Sequence, residues 1–129
     1  MSHTNFSGLW HADLSKSRIT GPAPSKILIK IAHDADELRQ AVLSTRVHGE
    51  QDRVAARYSM TAAETTSELH GLRMTSRVRW NGPELVIELT YAGNEFRDYW
   101  SLSDDGRVLT MEHRDDVLAG QITILERVA

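Results

Sequence analysis

The sequence has no cysteine among its 129 residues. It therefore has no disulfide framework, no thiolate nucleophile and no cysteine ligand for a metal. Proline is also scarce: the chain has three, and two of them stand in its one Pro/Gly-rich stretch, residues 14–25. Nothing before that stretch is large enough to fold alone, so we interpret it as a loop and expect one domain over residues 1–129.

The sequence also lacks an excess of charge and a long apolar run. Lys and Arg number 15 against 18 Asp and Glu, which gives a net charge of −3. No block of like charges forms a footprint for nucleic acid or an anionic membrane. No stretch approaches the ~18 apolar residues of a spanning helix, and residues 1–10 show no signal-peptide pattern. We expect a cytoplasmic protein that binds neither nucleic acid nor membranes, and the oligomeric state stays open.

What the chain does contain is alternation of apolar and polar residues. About nine segments of roughly 7–10 residues alternate with a period of two and are separated by short polar turns. Short connections predict antiparallel neighbours, and closure of so long a meander removes its exposed edges. The sequence therefore predicts an all-β fold, an antiparallel up-and-down β-barrel of about 8–10 strands. A two-sheet sandwich is the alternative.

Three places in this pattern need separate comment. Residues 37–47 contain many helix-favouring residues, but their β-branched end and their spacing from the preceding strand favour a hairpin. Residues 61–71 fit a loop, a helical turn or an extra strand. Gly8 lies inside the first strand, where glycine indicates a bulge or the close approach of another side chain.

The hairpin at residues 96–113 has the most specific register. The turn residues Asp-Asp-Gly-Arg at 104–107 suit a tight reversal, because Gly accepts positive φ and Asp caps its own backbone. A four-residue loop there places Asp98 directly opposite His113 on the face that is otherwise apolar. The hairpin therefore predicts that a carboxylate and an imidazole meet inside the barrel.

The flanking turns predict what surrounds this pair. A four-residue turn before the hairpin would place Leu89 beside Asp98, and a turn near Ala119 would place Ile122 beside His113. The pair would then lie among apolar neighbours, where an unpaired carboxylate is costly and a paired one is strongly held.

Short motifs resemble a known family of barrels. The sequence FSGLW at residues 6–10 resembles the Gly-x-Trp start of lipocalins and the Phe-x-Gly-x-Trp start of fatty-acid-binding proteins. WNG at 80–82 and WSLSDDG at 100–106 resemble bacterial lipocalin-like (calycin-type) domains. The resemblance implies a barrel that binds a small apolar molecule, with Trp10 closing one end. Residues 14–25 depart from the fatty-acid-binding pattern because they are too short for its helix-turn-helix lid.

Aromatic, sulfur-containing and polar residues on the inward face outline a candidate pocket. The candidates for ligand contact are Gln40, Tyr58, Met74, Ser76, Trp80, Leu89, Tyr91, Trp100 and Met111. Methionine suits adaptable ligand surfaces, and buried polar groups such as glutamine and serine need partners. The favoured function is binding of a small, largely apolar or aromatic molecule inside the barrel. A filled core, serving a structural or interaction role, is also open.

Asp98 and His113 support a different class of function as the alternative. The carboxylate would orient the imidazole and raise its basicity for proton transfer in a cofactor-independent isomerase, cyclase or lyase. In the structural alternative the two simply form a buried polar pair. No serine or cysteine nucleophile motif is present, and none of the six histidines has the spacing of a zinc site. We therefore expect neither a metal nor another cofactor.

Overall fold

The strands of the fold follow one another around a barrel in chain order. The computed structural model describes residues 5–21, 23–118 and 120–128, so Pro22 and Ala119 of the predicted turns lie outside it. Within these ranges ten strands and no helix are found. They are β1 (Gly8–Ala12), β2 (Lys26–His33), β3 (Glu37–Thr45), β4 (Gln51–Ser59), β5 (Thr65–Leu69), β6 (Leu72–Asn81), β7 (Glu84–Tyr91), β8 (Asn94–Leu102), β9 (Val108–His113) and β10 (Ile122–Arg127). The described residues accordingly offer no helix able to cross a membrane.

All ten strands belong to one sheet, in the order β4-β3-β2-β1-β10-β9-β8-β7-β6-β5. Strand β1 pairs antiparallel with both β2 and β10, which closes the barrel between its first and last strands. Strands β4 and β5 form the two edges, and no ladder joins them within the described ranges. Across this seam the Ser59 amide donates a hydrogen bond to Thr65 Oγ1 at 2.9 Å. The predicted up-and-down barrel is confirmed as a nearly closed one.

The two ambiguous segments both contribute strands. Residues 37–47 contain β3, which pairs along its whole length with β4 and from Leu38 to Thr45 with β2. Leu38 on this strand is fully buried, so burial of an alternating face outweighs the helix propensity of its neighbours. Residues 61–71 contain the short strand β5, which is one of the three possibilities left open by the sequence.

The turn between β7 and β8 is shorter than predicted. It consists of Ala92 and Gly93 alone, with φ of 52° and 80°, as in the two-residue type I′ turns that match the strand twist. The predicted four-residue turn is therefore wrong, and Leu89 lies opposite Phe96 rather than Asp98. The register moves by an even number of residues, so every side chain keeps its predicted face.

One end of the barrel is filled with aromatic rings. Phe6 and Trp10 are both fully buried, and Trp10 Nε1 donates to the Phe6 carbonyl oxygen at 3.0 Å. The Phe6 ring stacks on Trp80 at 6.1 Å between centroids and meets Trp100 edge-on at 5.8 Å. We call Phe6, Trp10, Trp80 and Trp100 the aromatic end; they close the barrel there.

Gly8 allows Arg127 to seal the aromatic end from outside. The Arg127 guanidinium lies 4.3 Å from the centroid of the Trp10 ring. Its Nη1 donates to the Ser7 carbonyl at 2.8 Å and its Nε to the Gly106 carbonyl at 3.1 Å. Gly8 has φ of 148°, and a Cβ atom there would overlap the guanidinium. The close approach predicted from this glycine is therefore that of Arg127.

Candidate functional site

The half of the barrel away from the aromatic end contains a cavity of about 340 Å³. Seven of the residues singled out in the sequence lie in its wall. Five of these are ligand-contact candidates, namely Gln40, Tyr58, Met74, Leu89 and Tyr91. The other two are Asp98 and His113, so the carboxylate and the imidazole face the same space as the apolar side chains.

Six further wall residues were missed by sequence reasoning: Val42, Val54, Ala56, Leu69, Phe96 and Leu118. Val42 and Val54 lie opposite each other on β3 and β4. Ala56 lies one step further along β4, on the same face. Valine and alanine side chains are much smaller than the indole and phenyl rings that fill the aromatic end. The space that they leave unfilled at their own level of the barrel is the cavity. The sequence did contain a signal for two of them, because Val54 and Ala56 alternate along β4 on the same face as Tyr58.

Four of the nine ligand-contact candidates do not line this cavity. Trp80 and Trp100 pack against Phe6 at the aromatic end. Met111 on β9 is 6% exposed and lies opposite Trp100 on β8. Ser76 is 2% exposed, and its hydroxyl is 3.5 Å from a backbone carbonyl of β5 that it can donate to. All four face inward as predicted. Trp80, Trp100 and Met111 pack at or beside the aromatic end, whereas Ser76 pairs with the wall residue Leu89 but is itself covered.

Asp98 on β8 and His113 on β9 are directly opposed, in the predicted register. His113 Nδ1 lies 2.6 Å from Asp98 Oδ1, and the two side chains are 16% and 20% exposed. Within the described part of the chain no acceptor lies well in line with the Nδ1–H bond, so charge attraction dominates this contact. The imidazole is held with Nδ1 toward the carboxylate, and His113 lines the cavity.

Asp115 is a second carboxylate beside His113, and sequence reasoning missed it. Its Oδ2 lies 3.5 Å from His113 Nδ1, and its side chain is only 5% exposed. Oδ2 accepts the Arg97 amide at 2.9 Å, and Oδ1 accepts the amides of Val117 and Leu118 at 3.0 and 2.7 Å. An aspartate at the start of a loop commonly caps amides two or three residues on, and that was the available signal.

After the loop that carries Asp115, the residues of β10 that face inward are not the predicted ones. Ile122 was predicted beside His113, and this is wrong: the His113 amide donates to the Gln121 carbonyl at 2.9 Å. On β10 it is Thr123 and Leu125 that are buried, at 8% and 0% exposure. A loop of this length does not transmit side-chain parity as a tight turn does.

The electrostatics of this cluster follow from burial and from charge. Burial disfavours the charged imidazole, but the carboxylates of Asp98 and Asp115 outweigh it and raise the pKa of His113 above its ordinary value. Burial would raise the pKa of Asp115, but backbone amides and the imidazole outweigh it and lower that pKa. Burial and the nearby Asp98 charge raise the pKa of Tyr58, which stays a neutral phenol.

The same three side chains could in principle ligate a cation. Asp98, His113 and Asp115 present nitrogen and oxygen atoms within 4.8 Å of one another. Both oxygens of Asp115 already accept backbone amides, and His113 Nδ1 lies 2.6 Å from Asp98 Oδ1 and 3.5 Å from Asp115 Oδ2. Mutual ion pairing accounts for the cluster, and we assign it no metal.

Comparison with known proteins shows the fold. No protein-family model and no curated protein sequence matches the chain. Among solved structures it is similar to the wild-type fluorescent protein UnaG, with 15% identity, a TM-score of 0.66 and coverage of 95% of this chain and 97% of UnaG. A point mutant of UnaG matches at 13% identity and TM-score 0.65, with 96% of each chain covered. Secretory abundant heat soluble protein 4 from Ramazzottius varieornatus matches at 14% identity and TM-score 0.66, covering 100% of this chain and 99% of that one. At such identities the likeness shows the fold alone, a nearly closed antiparallel up-and-down barrel.

Proposed function

We propose that this barrel binds a small, largely apolar molecule in its interior cavity. The observation that carries the proposal is the space of about 340 Å³ beside an otherwise packed core. Ligand pockets typically measure about 300–1,000 Å³ and combine apolar walls with a few placed polar groups. Here the walls are mainly Val, Leu, Met, Ala and aromatic side chains, and the polar groups are Gln40, Tyr58, Asp98 and His113.

Several finer statements belong to the same proposal. The relation to bacterial lipocalin-like domains rests on the motifs at residues 6–10 and 100–106. The organisation as one domain over residues 1–129 rests on the single ten-stranded sheet. A cytoplasmic location is also part of the proposal, and a chain without cysteine is compatible with a reducing compartment.

The proposal is tested by uptake of a neutral apolar fluorophore such as the naphthalene dye Prodan. We expect saturable binding at one site per barrel, with a blue-shifted emission and a rise in the thermal midpoint. Ala56→Phe fills the cavity from β4 and should weaken binding by about tenfold or more, because the ring takes the ligand's volume. Ala55→Phe is the matched control, because Ala55 is the exposed neighbour on the same strand.

Two results would contradict the proposal. One is the absence of saturable uptake in a parent protein that melts cooperatively. The other is equal binding by the parent, Ala55→Phe and Ala56→Phe proteins, which would place the dye on the outer surface.

A second candidate function is proton transfer without a cofactor. The specific observation in its favour is the 2.6 Å approach of His113 Nδ1 to Asp98 Oδ1 in the cavity wall. Imidazole Nε2 then serves as the base, and the raised pKa of His113 makes it a stronger one.

A suitable probe for that activity is 5-nitrobenzisoxazole, a small aromatic molecule whose ring opens when a base removes its C3 proton. We expect ring opening above the buffer rate, cut by about 10²–10⁴ in His113→Gln and reduced in Asp98→Asn. Binding of the neutral dye should survive both substitutions. Equal rates in parent and His113→Gln proteins would reject the catalytic hypothesis while leaving the binding function intact.

A further inference from the structure

The ionisable groups at the cavity sum to a net negative formal charge. Among the described residues in its wall, the side chains that can ionise near neutral pH are Asp98 and His113, and none is lysine or arginine. Asp115 stands directly behind the imidazole, 3.5 Å from Nδ1. Two carboxylates and one imidazole have a formal charge of −1 when the ring is protonated and −2 when it is neutral. The interior is therefore negative in either state of His113.

The cations of the neighbouring strands lie on the other face of the sheet. Arg79 and Arg97 flank Glu88 on the outer surface, at 3.4 and 3.6 Å from its carboxylate oxygens. Side chains alternate strictly between faces along a strand, so these guanidinium groups cannot reach the cavity. Arg73 and Arg77, the other cations of β6, are exposed as well, so no cation from β6, β7 or β8 is available to balance a negative ligand inside.

The polar groups of the wall also have acceptor capacity to spare. A carboxylate has about four lone-pair sites, and the cation-forming partner within ion-pair distance of Asp98 in the described chain is His113 alone. The Tyr91 hydroxyl, in contrast, already donates to the Leu69 carbonyl at 2.9 Å. A ligand that donates hydrogen bonds would complete this wall, whereas a second acceptor would meet the Asp98 charge in a poorly solvated site.

We propose that the cavity selects small amphiphiles with an apolar body and a hydrogen-bond-donating head group, best an ammonium, and rejects carboxylates of the same shape. The proposal rests on the proposed binding function and specifies its ligand class. The head group lies against Asp98 with the apolar body among Val54, Ala56 and Met74. A fatty-acid-like anion is excluded by charge rather than by size.

Three compounds that share an indole ring test this preference by calorimetry at pH 7. They are tryptamine, which carries an ammonium, tryptophol, which carries a hydroxyl, and indole-3-propionate, which carries a carboxylate. We expect tryptamine to bind at least about tenfold more tightly than the carboxylate, with tryptophol between them. Asp98→Asn should bring the ammonium-to-carboxylate ratio close to one while changing tryptophol affinity little.

Matched variants separate local charge from overall charge. Asp52→Asn removes one charge from an exposed pair with Arg46 on the outer surface, and it should leave the ratio unchanged. His113→Gln removes the one wall group that can become a cation, so it should not lower the ratio, which provides a second readout if Asp98→Asn unfolds. The two proposals fail in different ways. If none of the three compounds and no neutral dye binds, the binding function is wrong; if the carboxylate binds as tightly as the ammonium, only the ligand class is wrong.

Discussion

The two halves of the barrel are made by the same strands but differ in what fills them. At the aromatic end Phe6, Trp10 and Trp100 are at most 1% exposed, and the Phe6 ring meets Trp100 edge-on. In the other half, valine and alanine on β3 and β4 leave a cavity of about 340 Å³. Topology is the same in both halves, so the volumes of the side chains at each level decide whether the barrel is filled or hollow.

The two halves also shift the pKa of their histidines in opposite directions. At the aromatic end His33 stacks on Phe6 at 5.7 Å, and its Nδ1 accepts the Phe6 amide at 3.2 Å. Burial there lowers the pKa of His33 despite the charge of the adjacent Asp34. In the cavity half, carboxylates raise the pKa of His113. An imidazole is kept neutral where it serves packing and is stabilised as a cation where the wall is acidic.

The largest loss of stability is expected when a buried aromatic side chain is removed from the aromatic end. Trp10→Ala should lower the free energy of unfolding by about 3–5 kcal/mol, because it deletes a fully buried indole and leaves a new void. Val54→Ala, in the half-buried cavity wall, should cost less than about 1.5 kcal/mol, because that side chain already borders empty space. Urea denaturation of both variants measures the difference. Equal losses would mean that the two halves are packed alike.

The packing of Arg127 over Gly8, outside the aromatic end, should have the next largest effect on the free energy of unfolding. Gly8→Ala should cost about 1–3 kcal/mol, because φ of 148° disfavours a side chain and the new methyl group displaces Arg127. Arg127→Ala combined with Gly8→Ala isolates the steric part, which should disappear in the double variant. Strictly additive losses in the unfolding free energies would show that the guanidinium and the glycine are independent.

The two histidines should give opposite pH dependences of stability. The folded-state pKa of His113 is raised, so its contribution is fully present below the unfolded value of about 6.5 and is lost as pH rises through the folded pKa. The folded-state pKa of His33 is lowered, so its contribution is present above about 6.5 and is lost as pH falls through the folded pKa. The difference in unfolding free energy between parent and His113→Gln should therefore shrink with rising pH, and that for His33→Gln should grow.

Urea titrations between about pH 5.5 and 8.5 test these slopes while the carboxyl groups stay ionised. Asp98→Asn should flatten the His113 slope and move the imidazole titration, followed by nuclear magnetic resonance, to lower pH. Parallel slopes for the two histidine variants would refute the contrast between the halves.

The smallest effect is expected outside both halves. Arg79 and Glu88 form an exposed pair at 3.4 Å on the outer face, and such pairs contribute little because water screens them. Arg79→Ala should change the free energy of unfolding by less than about 0.5 kcal/mol. A loss above about 1 kcal/mol would show that the outer ion pairs contribute to stability on the scale of the core.

The sequence predicted the strands and one register well because both depend on local information. A period of two assigns each side chain to a face, and a tight Gly-containing turn transmits that assignment from one strand to the next. Asp98 and His113 could therefore be placed opposite each other across the turn at residues 104–107. The predicted turn at residues 92–95 was too long, but the side chains still face as predicted. The register between β7 and β8 differs from the prediction by two residues, and an even shift keeps every side chain on its face.

The sequence by itself determined which side chains face inward from the well-predicted hairpins, together with the closure of the meander into a barrel. Only the tertiary structure decided which of them meet empty space, since that depends on side chains from several strands at one level of the barrel. Trp80, Trp100, Met111 and Ser76 all face inward but do not line the cavity. The tertiary structure also brought Asp115 to His113 and turned Ile122 outward, because the long loop between β9 and β10 carries no periodic signal from which either position could be read.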